Sequence, residues 1–303
     1  MTGSISEVAM KRAFLLLVLF LLVFPASVHA RTWHVRQDGS GDCTTIQACI
    51  DSAGNGDTVL VGPGVYCEAV SIANKSNLVL KSQEGPAQTK ITNYFGITFR
   101  PCIMCGDLLG ENVIEGFTFA QCAGFFVGAA IYAGQSALTI RDNVFFDCGA
   151  GGIDTPGLGG AVFFDGSSGR IVQNTFHYCN SGLGGAIALQ SSSVVIDRNV
   201  ITGCFGGGIW ANVMPIITCN DVWGNSPSNY LGAITDQTGM NGNISVDPMF
   251  CGRTGPYAGN FFLNSSSPCL NAPGCGMLGA LPMGCGATAV EETTWGKIKV
   301  LFR

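Results

Sequence analysis

The sequence predicts an all-β solenoid, a stack of short coils, and three observations predict it. First, one nine-residue unit recurs. Ile140 to Cys148, Ile171 to Cys179, Ile196 to Cys204 and Ile217 to Asn225 each open with Ile, place Asn fourth (Asn143, Asn174, Asn199, Asn220) and carry Phe, Ile or Val sixth (Phe145, Phe176, Ile201, Val222). Three of them close in Cys, the fourth in Asn225, and an earlier copy, Ile114 to Cys122, has Phe117 in place of the Asn. The starts lie 26, 31, 25 and 21 residues apart. A unit this short cannot bury its own apolar face, so copies must stack. Second, a Gly-rich motif interleaves with the first: Gly159-Gly160-Ala161-Val162, Gly184-Gly185-Ala186-Ile187 and Gly207-Gly208-Ile209, with Gly128-Ala129-Ala130-Ile131 as a degraded copy. Third, charge is sparse while Gly, Ser, Asn and β-branched residues abound, a composition that suits many short strands joined by turns.

The elements follow in order. Residues 1–30 read as a secretory signal peptide. Lys11 and Arg12 form its basic region, Ala13 to Phe24 an apolar run too short to span a bilayer, and Val28-His29-Ala30 a cleavage site of small residues. Residues 32–36 alternate as a strand. Thr44 to Ala53 predicts a short helix, with apolar residues at 46, 49, 50 and 53 and Thr44 or Thr45 as its cap. Gly56-Asp57 turns the chain into a strand at Thr58 to Val61, and Pro63-Gly64 turns it again into a strand from Tyr66 to Ile72. Leu78 to Lys81 and Ile91 to Phe99 continue in short pieces, and the repeats occupy residues 112–225. Glycine pairs suit tight corners, and Asn tolerates the left-handed backbone and bonds to its stacked neighbour. The positions of Ile and Phe supply two inward stripes, one on each side of the Asn corner. The longest interval holds an insertion, Ala150 to Leu158, expected to loop outward.

Gly56-Asp57-Thr58-Val59 and Pro63-Gly64-Val65-Tyr66-Cys67-Glu68, preceded by the short helix, resemble the entry of right-handed parallel β-helices of the pectin-lyase-like superfamily. The Gly-Gly-Ala-Ile and Phe-x-x-Cys units are similar to the repeats of polymorphic outer membrane proteins, which have Asn where this chain has Cys. The resemblance implies a right-handed parallel β-helix over residues 31–250 with the helix covering its open end. Asn243 to Phe250, Asn260 to Leu263, Ser267-Pro268-Cys269 and Gly279-Ala280-Leu281-Pro282 resemble the closing segment of secreted bacterial β-helix proteins, which implies an irregular cap over residues 251–285. Residues 286–303 are a linker and a candidate sorting tail, whose alternating Ile298, Val300 and Phe302 equally suit a last edge strand.

Composition narrows the partners. The chain is acidic, with a formal net charge of −5, and nothing in it resembles a basic nucleic-acid footprint. No membrane-spanning segment is expected in the mature chain, and oligomeric state is not legible. The 14 Cys all follow the leader, and export permits disulfides. Cys102-Ile103-Met104-Cys105 has no second Cys pair to complete a zinc site, so it reads as a disulfide or loop pair, and no metal is expected. In the column Cys122, Cys148, Cys179 and Cys204, the pairs Cys122–Cys148 and Cys179–Cys204 lie within disulfide reach if coils stack at about 4.8 Å. Buried thiols acting as small hydrophobes are the favoured alternative, because a bridge between parallel neighbours must leave the stacked direction.

Two constellations bear on function. If Ile131, Val162, Ile187 and Ile209 face inward, then Tyr132, Phe163, Ala188 and Trp210 face out. Gly134, Asp165, Gln190 and Asn212 follow two positions later. Aromatic faces beside amides and a carboxylate suit a polysaccharide, whereas a phase shift of one residue would bury the whole set. For catalysis, the resemblance implies either Ca²⁺ held by clustered Asp with a Lys or Arg base, as in polysaccharide lyases, or converging carboxylates, as in glycoside hydrolases. The acidic residues here fall at different repeat positions. Asp154 and Asp165 flank the insertion, with His177 one coil on, and they are the only catalytic candidates. The expectation is thus an exported, secreted or cell-surface protein that binds glycans or other surfaces without clear catalysis and without a cofactor. A lyase or hydrolase is the alternative, and a structural spacer is a third reading.

Overall fold

A computed structural model describes residues 30–93, 100–124, 127–151, 157–253 and 259–286. The described chain turns repeatedly through three parallel sheets that enclose one apolar core. Sheet 1 has eight strands, from Thr32–Val35 to Ile216–Thr218. Sheets 2 and 3 have seven each, from Gly64–Cys67 to Asp221–Trp223 and from Val70–Ala73 to Tyr230–Gly232. Each full coil visits sheet 3, then sheet 1, then sheet 2, as in Ile131–Gly134, Ala137–Arg141 and Val144–Phe146. The segment expected to run as one strand from Tyr66 to Ile72 is two, Gly64–Cys67 and Val70–Ala73, because a corner moves the chain from sheet 2 to sheet 3.

Register turns the repeats into columns. Ile114, Ile140, Ile171, Ile196 and Ile217 pair in line through sheet 1 and are buried. Phe119, Phe145 and Phe176 do the same in sheet 2, with near-parallel rings 5.1 and 4.6 Å apart. In-register stacking of like side chains builds the core, and the unequal repeat lengths are taken up mostly at the corner between sheets 2 and 3.

Three corners hold the coil, and each uses two residues. The first is left-handed: Gln135, Gly166 and Ser191 before sheet 1; Asp142, Gln173, Arg198 and Cys219 before sheet 2; Asp147, Tyr178, Gly203 and Gly224 after it. The second is buried and bonds to the coils above and below. Asn143, Asn174, Asn199, Asn220 and Asn243 form a continuous ladder in which each backbone N–H donates to the next Asn Oδ1, at 2.8 to 3.0 Å. The left-handed conformation expected of these Asn belongs instead to the residue before each. The Asn side chain is kept for hydrogen bonding. At the first corner a ladder of serines does this work: Ser136 N–H donates to Ser167 Oγ, and Ser167 N–H to Ser192 Oγ.

The third corner carries the Cys column. Cys148 and Cys179 are buried thiols that donate to the carbonyls of Phe119 and Phe145, at 3.5 and 3.7 Å. Asn225 Nδ2 donates to the Ile201 carbonyl at 3.0 Å, so Asn serves as Cys does. Burial pushes the Cys148 and Cys179 thiols well above their ordinary pKa, which keeps them protonated and inert. Neither of the two vertical bridges forms. Cys122 is bonded to Cys102, and Cys148, Cys179 and Cys204 are free. The Cys102–Cys105 pair does not form either, because Cys102 stands at a coil corner while Cys105 points into the core as a free thiol. The other bridges are Cys43–Cys49, Cys219–Cys275 and Cys251–Cys285.

The entry motif is explained by capping. Helix α1 (Ile46–Ser52) is capped by Thr45 Oγ1, which accepts from Ala48 N–H, and by Glu68, whose two oxygens accept from the N–H groups of Ile46 and Gln47. A carboxylate is favoured there because it meets unpaired donors. Asp57 accepts from the N–H groups of Arg31 and Gly54 and from Trp33 Nε1. At the other end the expected cap is a strap. Phe250, Phe261, Leu263, Leu278 and Leu281 form a second apolar cluster with Ala120, Val144, Phe146 and Val200, which lie on the outer face of sheet 2. The segment folds back along the side of the stack because that face is apolar, and Gly279 N–H bonds to the Arg198 carbonyl in its course. The leader, the sorting tail and the core of the insertion lie outside the described residues. No described helix is long and apolar enough to cross a membrane.

Candidate functional site

The outward rows of sheet 3, away from the strap on sheet 2, hold the candidate site. Ile131, Val162, Ile187 and Ile209 pair in register and are fully buried. Alternation then sends Tyr132, Phe163, Ala188 and Trp210 outward as one row. The row is not uniformly open. Tyr132 and Trp210 are half-buried, whereas Phe163 is only 2% exposed and Ala188 not at all. Those two are therefore removed from a contact surface. The Tyr132 ring leans against Phe163, with centroids 5.8 Å apart.

Glycines give the two aromatics room to lie along the sheet. A Cβ at Gly134 would meet the Tyr132 hydroxyl at 2.7 Å, and one at Gly232 would meet Trp210 Nε1 at 2.9 Å. The polar row is built beside them. Asp165 pairs in register with Gly134 on one side and Gln190 on the other, and both polar side chains are half-buried. Burial, with the Asp165 charge adding to it, holds the Tyr132 phenol above its ordinary pKa, so the hydroxyl stays a donor. Asn212 is exposed beyond the last paired residue, and its Oδ1 accepts from Ser191 N–H at 2.7 Å.

Of the catalytic candidates, the two that are described, Asp165 and His177, stand on different sheets. Asp165 lies on sheet 3, and Asp154 lies outside the described residues. His177 lies on the outer row of sheet 2, among the rings of Phe146, Tyr178, Phe250 and Phe261 at 5.1 to 6.1 Å. It is a packing residue of the strap interface. Among the described residues no group of three or more His, Cys, Asp or Glu stands together to hold a metal ion. Sequence reasoning missed the serine ladder, although Ser136, Ser167 and Ser192 each stand four residues before the Ile of their repeat.

Residues 68–213 match the family model described as a right handed beta helix region. The fold is a right-handed parallel β-helix. No curated protein matches the chain. Among solved structures, a pectin methylesterase mutant in complex with a hexasaccharide is similar at 12% identity and a TM-score of 0.34, covering 74% of this chain and 94% of that one.

Proposed function

We propose that this chain is an exported β-helix protein that binds glycans on the outer face of sheet 3, without catalysis of its own. The observation that carries the reading is the register that sets Tyr132 and Trp210 half-open on one outward row, with Asp165 and Gln190 on the row beside it. The two rings stand three coils apart, about 14 Å along the stack at the usual strand spacing. An extended oligosaccharide spans that distance, with C–H faces against the rings and hydroxyls toward the amide and carboxylate. Export is supported by the leader sequence and by four disulfides, which persist in oxidising compartments. A hydrolytic reading has less support, since Asp165 has no second carboxyl opposite it in register and such chemistry needs a pair.

A glycan array followed by titration calorimetry tests this. Trp210→Ala and Tyr132→Ala are each expected to weaken binding of the selected glycan about tenfold or more, the loss of roughly 1.4 kcal/mol. Binding by the wild type to no glycan on the array, or binding untouched by both substitutions, would overturn the reading. Depolymerase activity abolished by Asp165→Asn would replace it with the hydrolytic one.

A further inference from the structure

Beside the strap, on the outer face of sheet 2, lies an open groove of about 580 Å³. Val65, Lys90, Thr118, Ala120 and Phe146 make its floor, and they come from four successive strands, Gly64–Cys67, Thr89–Thr92, Thr118–Ala120 and Val144–Phe146. Register links them: Val65 pairs with Lys90, Lys90 with Thr118, and Ala120 with Phe146. Two steps at the usual strand spacing put about 10 Å of stack between Lys90 and Phe146. Phe261, Phe262 and Leu281 of the strap share the lining.

The lining carries one charge. Lys90 is half-buried and makes no ion pair or side-chain hydrogen bond among the described residues, and no carboxylate lines the groove with it. The Thr118 hydroxyl is spent on the Pro86 carbonyl, at 2.6 Å, and Asn260 Oδ1 on the Phe262 N–H, at 3.2 Å. The apolar part is continuous with the strap interface. Phe146 packs on Phe261 with ring centroids 5.2 Å apart, and Ala120 lies in the same cluster. At the other end Val65 is 58% exposed, an apolar side chain left in water. A half-buried ammonium with no counter-charge, next to apolar surface, is satisfied by an anion that brings an apolar body with it.

We infer that this groove binds a fatty-acid anion, with the carboxylate on Lys90 and the alkyl chain laid along the stack against Ala120, Phe146 and the strap phenylalanines. The charge count decides between ligands. A polyanion rewards several cations, and this groove has one. A compact inorganic anion makes no use of the phenylalanines, and an uncharged alkyl chain leaves Lys90 unpaired. An alkyl cation meets the like charge of Lys90. The site stands on a different sheet from Tyr132 and Trp210 and does not rest on the reading given for them.

Calorimetry on the purified full chain decides it, with decanoate, hexanoate, decanol, decyltrimethylammonium and phosphatidylglycerol vesicles as probes, the soluble ones kept below micelle formation. Decanoate is expected to bind, and hexanoate about tenfold more weakly, since an open groove gives each methylene about half the gain of full burial. Lys90→Gln should weaken decanoate about tenfold, and Lys90→Arg should restore it. Val65→Asp sets a carboxylate in register beside Lys90 and should also abolish the preference for decanoate over decanol. Lys90 makes no side-chain bond and Val65 is exposed, so these variants should melt at the wild-type temperature and their binding losses are not folding losses. Trp210→Ala is expected to leave binding unchanged, which separates this site from the aromatic row. No binding of decanoate, equal binding of decanol, tighter binding of decyltrimethylammonium or of vesicles, or indifference to Lys90→Gln would overturn the inference.

Discussion

Asn174 is the middle rung of the ladder and shows how one buried amide ties several coils. Its Oδ1 accepts from the N–H and Nδ2 of Asn143, and its Nδ2 donates to the carbonyls of Ile140 and Val172 and to Asn199 Oδ1. Asn174→Ala strands donors and acceptors that have no water to turn to, at about 1–3 kcal/mol for each orphaned group. We expect a loss of about 4 kcal/mol in urea unfolding; a loss under 1 kcal/mol would mean that the ladder is incidental to stability. Asp221 makes a second residue-scale prediction, with the opposite sign. It is fully buried beneath the strap, accepts from Val246 N–H at 3.0 Å and from the Cys269 thiol at 3.2 Å, and burial pushes its pKa up to about 6. A carboxyl whose pKa is higher folded than unfolded stabilises while protonated. That contribution is full below the unfolded value near 4, is lost as pH rises toward 6, and stays lost above it. The difference amounts to roughly 3 kcal/mol. Asp221→Asn keeps the acceptor for Val246 and should remove this component. Between pH 4 and 7 the variant's stability should therefore fall less than the wild type's, and identical pH profiles would refute the assignment.

At the level of the element, the paired glycines before three strands of sheet 3 have different duties. Gly184 takes a left-handed φ of 64°, which is the corner itself. Gly185 has an ordinary backbone, yet a Cβ there would meet the Phe205 carbonyl at 2.3 Å and that of Cys179 at 2.9 Å, both of them backbone atoms with little freedom to retreat. The second glycine thus permits coils to stack at strand distance. Gly185→Ala should cost about 2–3 kcal/mol, the range of core overpacking, and lower the melting temperature. A melting temperature equal to the wild type's would show that the coil spreads freely there. The same elements show what the sequence could disclose. The Ile and Phe stripes were legible because identical apolar residues recur at fixed offsets. Gly56-Asp57 and Glu68 were legible as a motif, and their caps give it a cause. The serine ladder was hidden because Ser192 sits in a run of three serines that reads equally well as a turn. The left-handed residue before each Asn was hidden because its identity varies, from Asp142 to Gln173 to Arg198. Disulfide partners were hidden because Cys102 and Cys122 are joined by corner geometry that spacing does not encode. In the candidate site, alternation put Tyr132 and Trp210 on one face but did not fix whether that face was inside or outside. The burial of Ile131, Val162, Ile187 and Ile209 in register decides it, and the burial of Phe163 and the separation of His177 from Asp165 on different sheets required the packing of three sheets.

For the whole molecule, the consequence of the strap is that the outer face of sheet 2 is covered where Ala120, Val144, Phe146 and Val200 stand. Sheet 2 turns outward apolar side chains that the strap shields from water, since Val144 and Val200 are fully buried and Phe146 is 7% exposed. The strap is pinned by Cys219–Cys275, across 56 residues, and closed on itself by Cys251–Cys285. A solenoid's stability is a sum of coil and neighbour terms, so a segment laid along its side can come away without unwinding the stack. Replacing both Cys219 and Cys275 by Ser removes a link worth at most about 4 kcal/mol for a loop of that length. The strap, held then by apolar contact alone, should become cleavable by protease at urea concentrations where the coils still resist. If strap and coils remain equally protected, the segment belongs to the cooperative core rather than to a separable cover. Thiol titration of the denatured, unreduced wild type checks the premise, with six free cysteines expected: Cys67, Cys105, Cys148, Cys179, Cys204 and Cys269. Eight would remove one bridge. If the missing bridge is Cys219–Cys275, the strap is held without a covalent pin, and the double substitution should then leave protection unchanged.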